Sequence, residues 1–214
     1  MKKDLTELVF ILDKSGSMSG LEKDTIGGFN SMLETQRKVE GNAVVTTVLF
    51  DHSYEVIHNR ISIDKVAPLT DKEYRIGGST ALLDAIGITI LSTKKHFLDT
   101  PEDQRPEKVL FVITTDGMEN ASREFHYPEI KAMIEHQKLT LDWEFIFLGA
   151  NIDAEAEAKK FGLHKDRVSN YNHDHKGTTA HYESVNDAVT ELRVSKSLSN
   201  KWKEKVDTDF KERK

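Results

Sequence analysis

The chain has 214 residues, 37% of them hydrophobic, enough to bury the core of one α/β domain. A formal net charge of -6 gives no general attraction to nucleic-acid phosphates or anionic membrane surfaces, so neither is expected as a partner. The absence of cysteine excludes disulfides, thiolate metal sites and cysteine nucleophiles, and suits a reducing compartment; a cytoplasmic location is the expectation.

The N-terminal apolar run "LVFIL" is shorter than a signal-peptide core and follows Asp4 and Glu7, so "ELVFIL" (7–12) reads as a first strand. That strand runs into Asp13, Gly16 and Gly20, ordinary turn residues. Asp13, Ser15 and Ser17 also alternate, which aims their oxygens to one side, and converging oxygens are hard-cation chemistry. Residues 21–40 carry Ile26, Phe29, Leu33 and Gln36 at helical spacing. Next, 43–50 and 54–63 are rich in β-branched residues. Only Asp51, His52 and Ser53 separate them, too few for a parallel crossover, so an antiparallel hairpin is predicted.

The segment 77–97 predicts a deeply buried helix capped by Ser79 or Thr80. "KVLFVITT" (108–115) predicts a central strand covered on both faces, ending at Asp116 and Gly117. A helix from Pro128 to about 138, a buried strand at 142–150, a short helix at 152–163, a weak edge strand at 167–171 and an amphipathic helix at 177–195 follow. No run approaches the ~20 apolar residues that a membrane-spanning helix needs. The alternation predicts an α/β, doubly wound fold. Its sheet is mostly parallel, with one antiparallel edge strand and helices on both faces, and such sheets bind ligands where strand order reverses.

"DKSGS" (13–17), "GGSTALLDA" (77–85) and "TTDGMEN" (114–120), in this order, closely resemble the three loops of the metal-ion-dependent adhesion site of von Willebrand factor A domains. Each residue alone has an ordinary reading, since Asp13 could cap a turn, Ser15 and Ser17 could satisfy loop amides and Thr80 could cap a helix; the constellation favours the metal. The resemblance, to intracellular bacterial members of the family, implies a Rossmann-like A domain over 1–195 with a charged, amphipathic tail at 196–214. It implies metal-site residues Asp13, Ser15, Ser17, Thr80 and Asp116 around Mg²⁺, or alternatively Mn²⁺ or Ca²⁺. The implied partner is another protein that supplies a Glu or Asp to the metal, and no enzymatic activity is expected.

Gly77 and Gly78 either allow close approach to the metal or form a flexible turn. Asp84 either braces the site or is an ordinary first-turn helix residue. Glu119 and Asn120 are candidates for partner contact, with a capping role favoured for Asn120. The histidines at 173, 175 and 181 lack the spacing of a zinc site and read as surface residues. In the tail, Leu198, Trp202, Val206 and Phe210 recur every four residues, a stripe that docks on the domain or pairs with another chain, with a frayed end as the alternative and membrane-surface binding disfavoured by the acidic residues among the lysines.

The alternative function is a Mg²⁺-dependent phosphoryl-transfer hydrolase of the haloacid dehalogenase type with Asp13 as nucleophile. That chemistry needs a second aspartate at position 15 as acid and base, where this chain has serine. A structural subunit of a larger assembly is the third reading.

Overall fold

The computed structural model describes residues 1–213. Apolar runs become strands and the intervening periodic segments become helices. The order is β1 (Lys2–Asp13), α1 (Glu22–Gln36), β2 (Asn42–Phe50), β3 (Tyr54–Ser62), α2 (Leu82–Asp99), β4 (Pro106–Thr115), α3 (Tyr127–Leu141), β5 (Glu144–Gly149), α4 (Ala154–Lys160), β6 (Val168–Asn170), α5 (His175–Ser195) and α6 (Glu204–Glu212).

The strands form one six-stranded sheet in the order β3-β2-β1-β4-β5-β6. All neighbours are parallel except β2 and β3, the hairpin, which leaves β3 as an antiparallel edge. The fold class is therefore the one expected from sequence. Its cause is visible in β1, whose Leu8, Phe10 and Leu12 join the core under α1 and α5 while Val9 and Ile11 join the core under α2, α3 and α4. A central parallel strand is apolar throughout because both of its faces are covered.

The strand order reverses between β1 and β4, which lie side by side with Leu12 opposite Thr114. Two loops at the carboxyl ends of these strands therefore diverge from one point, where open α/β sheets bind ligands.

The second helix departs from expectation. α2 starts at Leu82, its N-cap position is Ala81, and neither Ser79 nor Thr80 caps it. Its first turns are buried almost all round, whereas Leu91 and Leu98 further along face solvent.

The tail packs onto the sheet's α1/α5 face. Leu198, Trp202 and Val206 are buried in that core, and Trp202 Nε1 donates to the Asp166 carbonyl at 3.0 Å. Among the described residues, no helix is long and apolar enough to cross a membrane.

Candidate metal centre

The site begins where β1 stops. Asp13 keeps its backbone in the sheet, and its carbonyl accepts the Tyr74 hydroxyl at 2.5 Å. Its carboxylate turns into the loop: Oδ1 accepts the Ser15 amide at 2.7 Å, and Oδ2 accepts Thr115 Oγ1 from the end of β4 at 2.5 Å. The aspartate thus fixes the direction of its own loop and ties β1 to β4. Past it, Gly16–Met18 make a single 3-10 turn that brings Ser15 Oγ and Ser17 Oγ to 3.1 Å from each other. Ser17 Oγ then donates to Asp116 Oδ1 at 2.5 Å.

The second loop is laced to the first by backbone bonds, Gly16 N to Gly78 O at 3.1 Å and Gly77 N to Lys14 O at 3.0 Å. Gly78 has φ +72°, and a Cβ there would lie 2.1 Å from His52 Nδ1, so this position requires glycine. Thr80 is pinned from the third loop. Its amide donates to Asn120 Oδ1 at 2.9 Å and its carbonyl accepts the Asn120 amide at 3.0 Å.

The unpaired amides that open α2 find their acceptors in the third loop as well: Leu83 N donates to Glu119 Oε2 at 2.9 Å and Asp84 N to Ser122 Oγ at 3.0 Å. Asp84 reciprocates by accepting the amides of Arg123, Glu124 and Phe125 at 2.8 to 2.9 Å. Asp84 is therefore a brace for the third loop. Glu119, a candidate for partner contact from sequence, also takes the amides of Ala121 and Ser122, so both its oxygens are used inside the protein.

Five side chains expected from sequence thus belong to one loop cluster. Gly117 fixes how close they come, because a Cβ there would sit 3.2 Å from Thr80 Oγ1 and 3.3 Å from Ser17 Oγ. Glycine leaves the space between those hydroxyls open. Asp13 and Asp116 are 1% and 2% exposed, while Ser17 reaches solvent, so the cluster opens on one side only.

Burial pushes the Asp13 carboxyl up to about 6 against the hydrogen bonds from Ser15 and Thr115. Asp116 is also raised by burial, with Ser17 and His173 pulling it back. Asp116 Oδ2 makes no hydrogen bond, although His173 Nε2 lies 2.9 Å from it.

Among the described residues, no group of three His, Cys, Asp or Glu side chains is placed to hold a metal ion. This cluster is of another kind, two carboxylates and three hydroxyls, a donor set suited to a hard divalent cation. The buried carboxylate oxygen without a hydrogen bond and the open space at Gly117 both fit such an ion.

Sequence reasoning missed Tyr74 and Thr115, and its reading of His173 and His181 as surface residues is corrected: His173 turns in against Asp116, and His181 is 1% exposed, 3.1 Å from Thr114 Oγ1. Thr115 stood beside the motif aspartate, and its hydroxyl at a strand end was a readable signal. Tyr74 and His173 come from distant segments and carried none.

No family model matches the sequence, and no curated protein matches it. Among solved structures, proximal thread matrix protein 1 from the mussel byssus is similar at TM-score 0.61, with 14% identity over 87% of this chain and 46% of that one. A further structure of the mussel protein has a zinc-occupied MIDAS motif. The manganese-loaded Plasmodium vivax TRAP protein is similar at TM-score 0.60, with 15% identity over 80% of this chain and 70% of that one. The ArnB paralog VWA2 from Sulfolobus acidocaldarius is similar at TM-score 0.55, with 16% identity over 88% of this chain and 45% of that one. This chain therefore spans about half the length of the mussel and Sulfolobus proteins. At these identities the likeness is one of fold: six strands, mostly parallel, arranged as in the von Willebrand factor A domain.

Proposed function

We propose that this chain is a metal-dependent protein-binding module with an intact adhesion-type site, in which Ser15, Ser17 and Thr80 hold Mg²⁺, or Mn²⁺ or Ca²⁺, with Asp13 and Asp116 direct or through water. The observation that carries this reading is the meeting of the three loops, where Thr80 Oγ1 and Ser17 Oγ flank the space a Gly117 Cβ would fill and Ser17 is bonded to a buried Asp116 whose second oxygen makes no hydrogen bond. The zinc-occupied MIDAS motif of the mussel protein and the manganese-loaded state of the Plasmodium protein support a divalent ion in this fold. The ion would supply a Lewis-acidic position open to solvent. Three of the protein's donors are neutral hydroxyls, so the cation keeps positive charge and selects a carboxylate, a Glu or Asp of a partner protein.

Two observations favour binding over hydrolysis. Both oxygens of Asp13 are committed to internal hydrogen bonds and the side chain is buried, a poor state for a nucleophile. Ser15 also lacks the proton chemistry of a second carboxylate. The absence of cysteine fits a reducing compartment, the bacterial cytoplasm in this reading.

Calorimetric titration of Mg²⁺ and Mn²⁺ into wild type and a Ser15→Ala, Ser17→Ala variant tests the site. The expected result is loss of binding in the variant, and identical binding would eliminate the proposal. A protein partner captured by wild type should be released by EDTA and absent from the variant, because metal and partner binding reinforce each other.

A further inference from the structure

Asp116 is approached from two sides. Oδ1 accepts Ser17 Oγ, while Oδ2 faces His173 Nε2 at 2.9 Å, and both of these facing atoms are buried and without a hydrogen bond of good geometry. His173 lies on the connection between β6 and α5, with its side chain 21% exposed. The residues on either side of it are fastened to the C-terminal helix. Asn172 Nδ2 donates to Asp209 Oδ2 at 3.0 Å and to the Asp209 carbonyl at 3.2 Å. Arg213 Nη2 pairs with Asp174 Oδ2 at 2.5 Å, and Asp174 Oδ1 also accepts the Gly177 amide at the start of α5. Helix α6 is itself anchored by Val206, whose amide donates to the buried Ser184 Oγ at 3.1 Å.

We infer that His173 is a positioning residue of the metal centre, steering the outer oxygen of Asp116, and that α6 sets the place of His173 by holding Asn172 and Asp174. The inference rests on the metal-dependent reading above. Asp116 Oδ1 is taken by Ser17, so Oδ2 is the oxygen left for a cation or its bound water, and a carboxylate oxygen has a second lone pair that a neighbouring imidazole N–H can meet. His173 Nε2, 2.9 Å away, is close enough to limit the swing of Oδ2 about the Cβ–Cγ bond after a small turn of the ring, and losing such a support costs about 10–100-fold in metal affinity. The role requires Nε2 to carry the proton. It assigns residues 200–213 a function that the adhesion loops alone do not give them: through Asp209 and Arg213 they are part of the scaffold of the metal site.

The test is calorimetric titration of Mn²⁺ into the full chain and into His173→Ala, His173→Gln and Asn172→Ala/Arg213→Ala variants, with circular dichroism verifying folding. His173→Ala should weaken binding by about 10–100-fold. His173→Gln should recover most of that loss, because its amide N–H can reach the same oxygen. The Asn172→Ala/Arg213→Ala pair should weaken binding in wild type and add nothing in the His173→Ala background, since both act through one group. His173→Phe keeps a ring without a nitrogen and should weaken binding as alanine does, which separates loss of the N–H from disorder of the loop. Affinity unchanged in His173→Ala or His173→Phe, or losses that simply add, would overturn the inference while leaving the metal site standing. A wild type that binds no Mn²⁺ would overturn both.

Discussion

Replacing Glu7 with glutamine should stabilise the protein above neutral pH, although it removes one partner of an apparent salt bridge. Glu7 lies on β1 with its side chain fully buried, and neither carboxylate oxygen makes a hydrogen bond. Its charged neighbour is Arg60, with Nε 3.3 Å away, on a guanidinium side chain that is 22% exposed. Arg60 sits in the left-handed region, φ 53°, where the pairing of β2 with β3 loses register. Glu7 and Arg60 line a pocket of about 80 Å³ together with Thr46, Tyr54, Thr89 and His96 among others. Burial and attraction therefore oppose each other at one carboxylate. Burial wins: it pushes Glu7 up to about 7, with Arg60 pulling it down less strongly.

The sign of the stability effect follows. The folded pKa lies above the ordinary value of 4.5, so between 4.5 and about 7 the folded state binds more protons than the unfolded one. Stability falls as pH rises through that window and stays lost above it. The distance from 4.5 to about 7, at about 1.4 kcal/mol per pH unit, amounts to about 3 kcal/mol. Glutamine keeps the shape and cannot ionise. Urea midpoints in EDTA, measured for both proteins from about pH 4 to about pH 8, should coincide at the acid end and diverge by up to about 3 kcal/mol at the basic end. Every other carboxyl titrates in both proteins, so the difference isolates Glu7. A Glu7→Gln variant that is less stable than wild type at about pH 8 would refute the reasoning, because the Arg60 pair would then outweigh the cost of burial.

Two further predictions concern packing. Gly27 and Gly28 are adjacent on α1, but a Cβ on Gly27 meets nothing within 4 Å while one on Gly28 would lie 2.2 Å from the Tyr182 ring. Gly27→Ala should therefore gain up to about 1 kcal/mol from helix propensity, and Gly28→Ala should lose about 1–3 kcal/mol by forcing α1 from α5; thermal midpoints moving in the same direction would contradict this. Trp202→Ala should cost about 3–5 kcal/mol, since it empties a fully buried indole site and frees the Asp166 carbonyl, and denaturation that leaves the midpoint unmoved would mean the tail is not part of the folding unit.

The sheet is legible in the sequence because its strands are buried on both sides. Residues 108–115 form a nearly unbroken apolar run and lie within β4, and the three residues 51–53 are too few to return β3 parallel to β2. The first and third loops are legible because their distinctive residues sit directly after β1 and β4, so strand ends fix their positions. Thr80 was harder to read. A threonine before an apolar helix looks like a cap, yet the amides at the start of α2 are satisfied by Glu119 and Ser122 from another loop, leaving Thr80 without that task. Glu119 looks like an outward-facing polar residue beside a motif, whereas Asn120 reads as a capping residue; both face the α2 terminus because an unpaired helix end needs acceptors. His173 reads as a surface residue in the sequence and is not one. Its position depends on β6 lying beside β5 and on α6 fastening its neighbours, both products of tertiary packing.

The two aspartates of the site, indistinguishable as sequence signals, have different physical situations. Asp13 spends both oxygens on the Ser15 amide and Thr115 Oγ1, so it shapes the first loop and joins β1 to β4 whether or not an ion is bound. Asp116 commits one oxygen to Ser17 and leaves the other buried against His173 without a hydrogen bond. Burial raises both carboxyls, so the protein without an ion holds negative charge at a cost that a cation would relieve. Hydrogen bonds between the loops, such as Gly16 N to Gly78 O and Thr80 N to Asn120 Oδ1, hold this arrangement, with Asp116 Oδ2 and His173 Nε2 left unsatisfied beside it. In the proposed reading, an ion would add charge compensation on an oxygen cluster that these loops already bring together. On that same proposal, binding would respond to a partner's carboxylate without the loops having to fold around it.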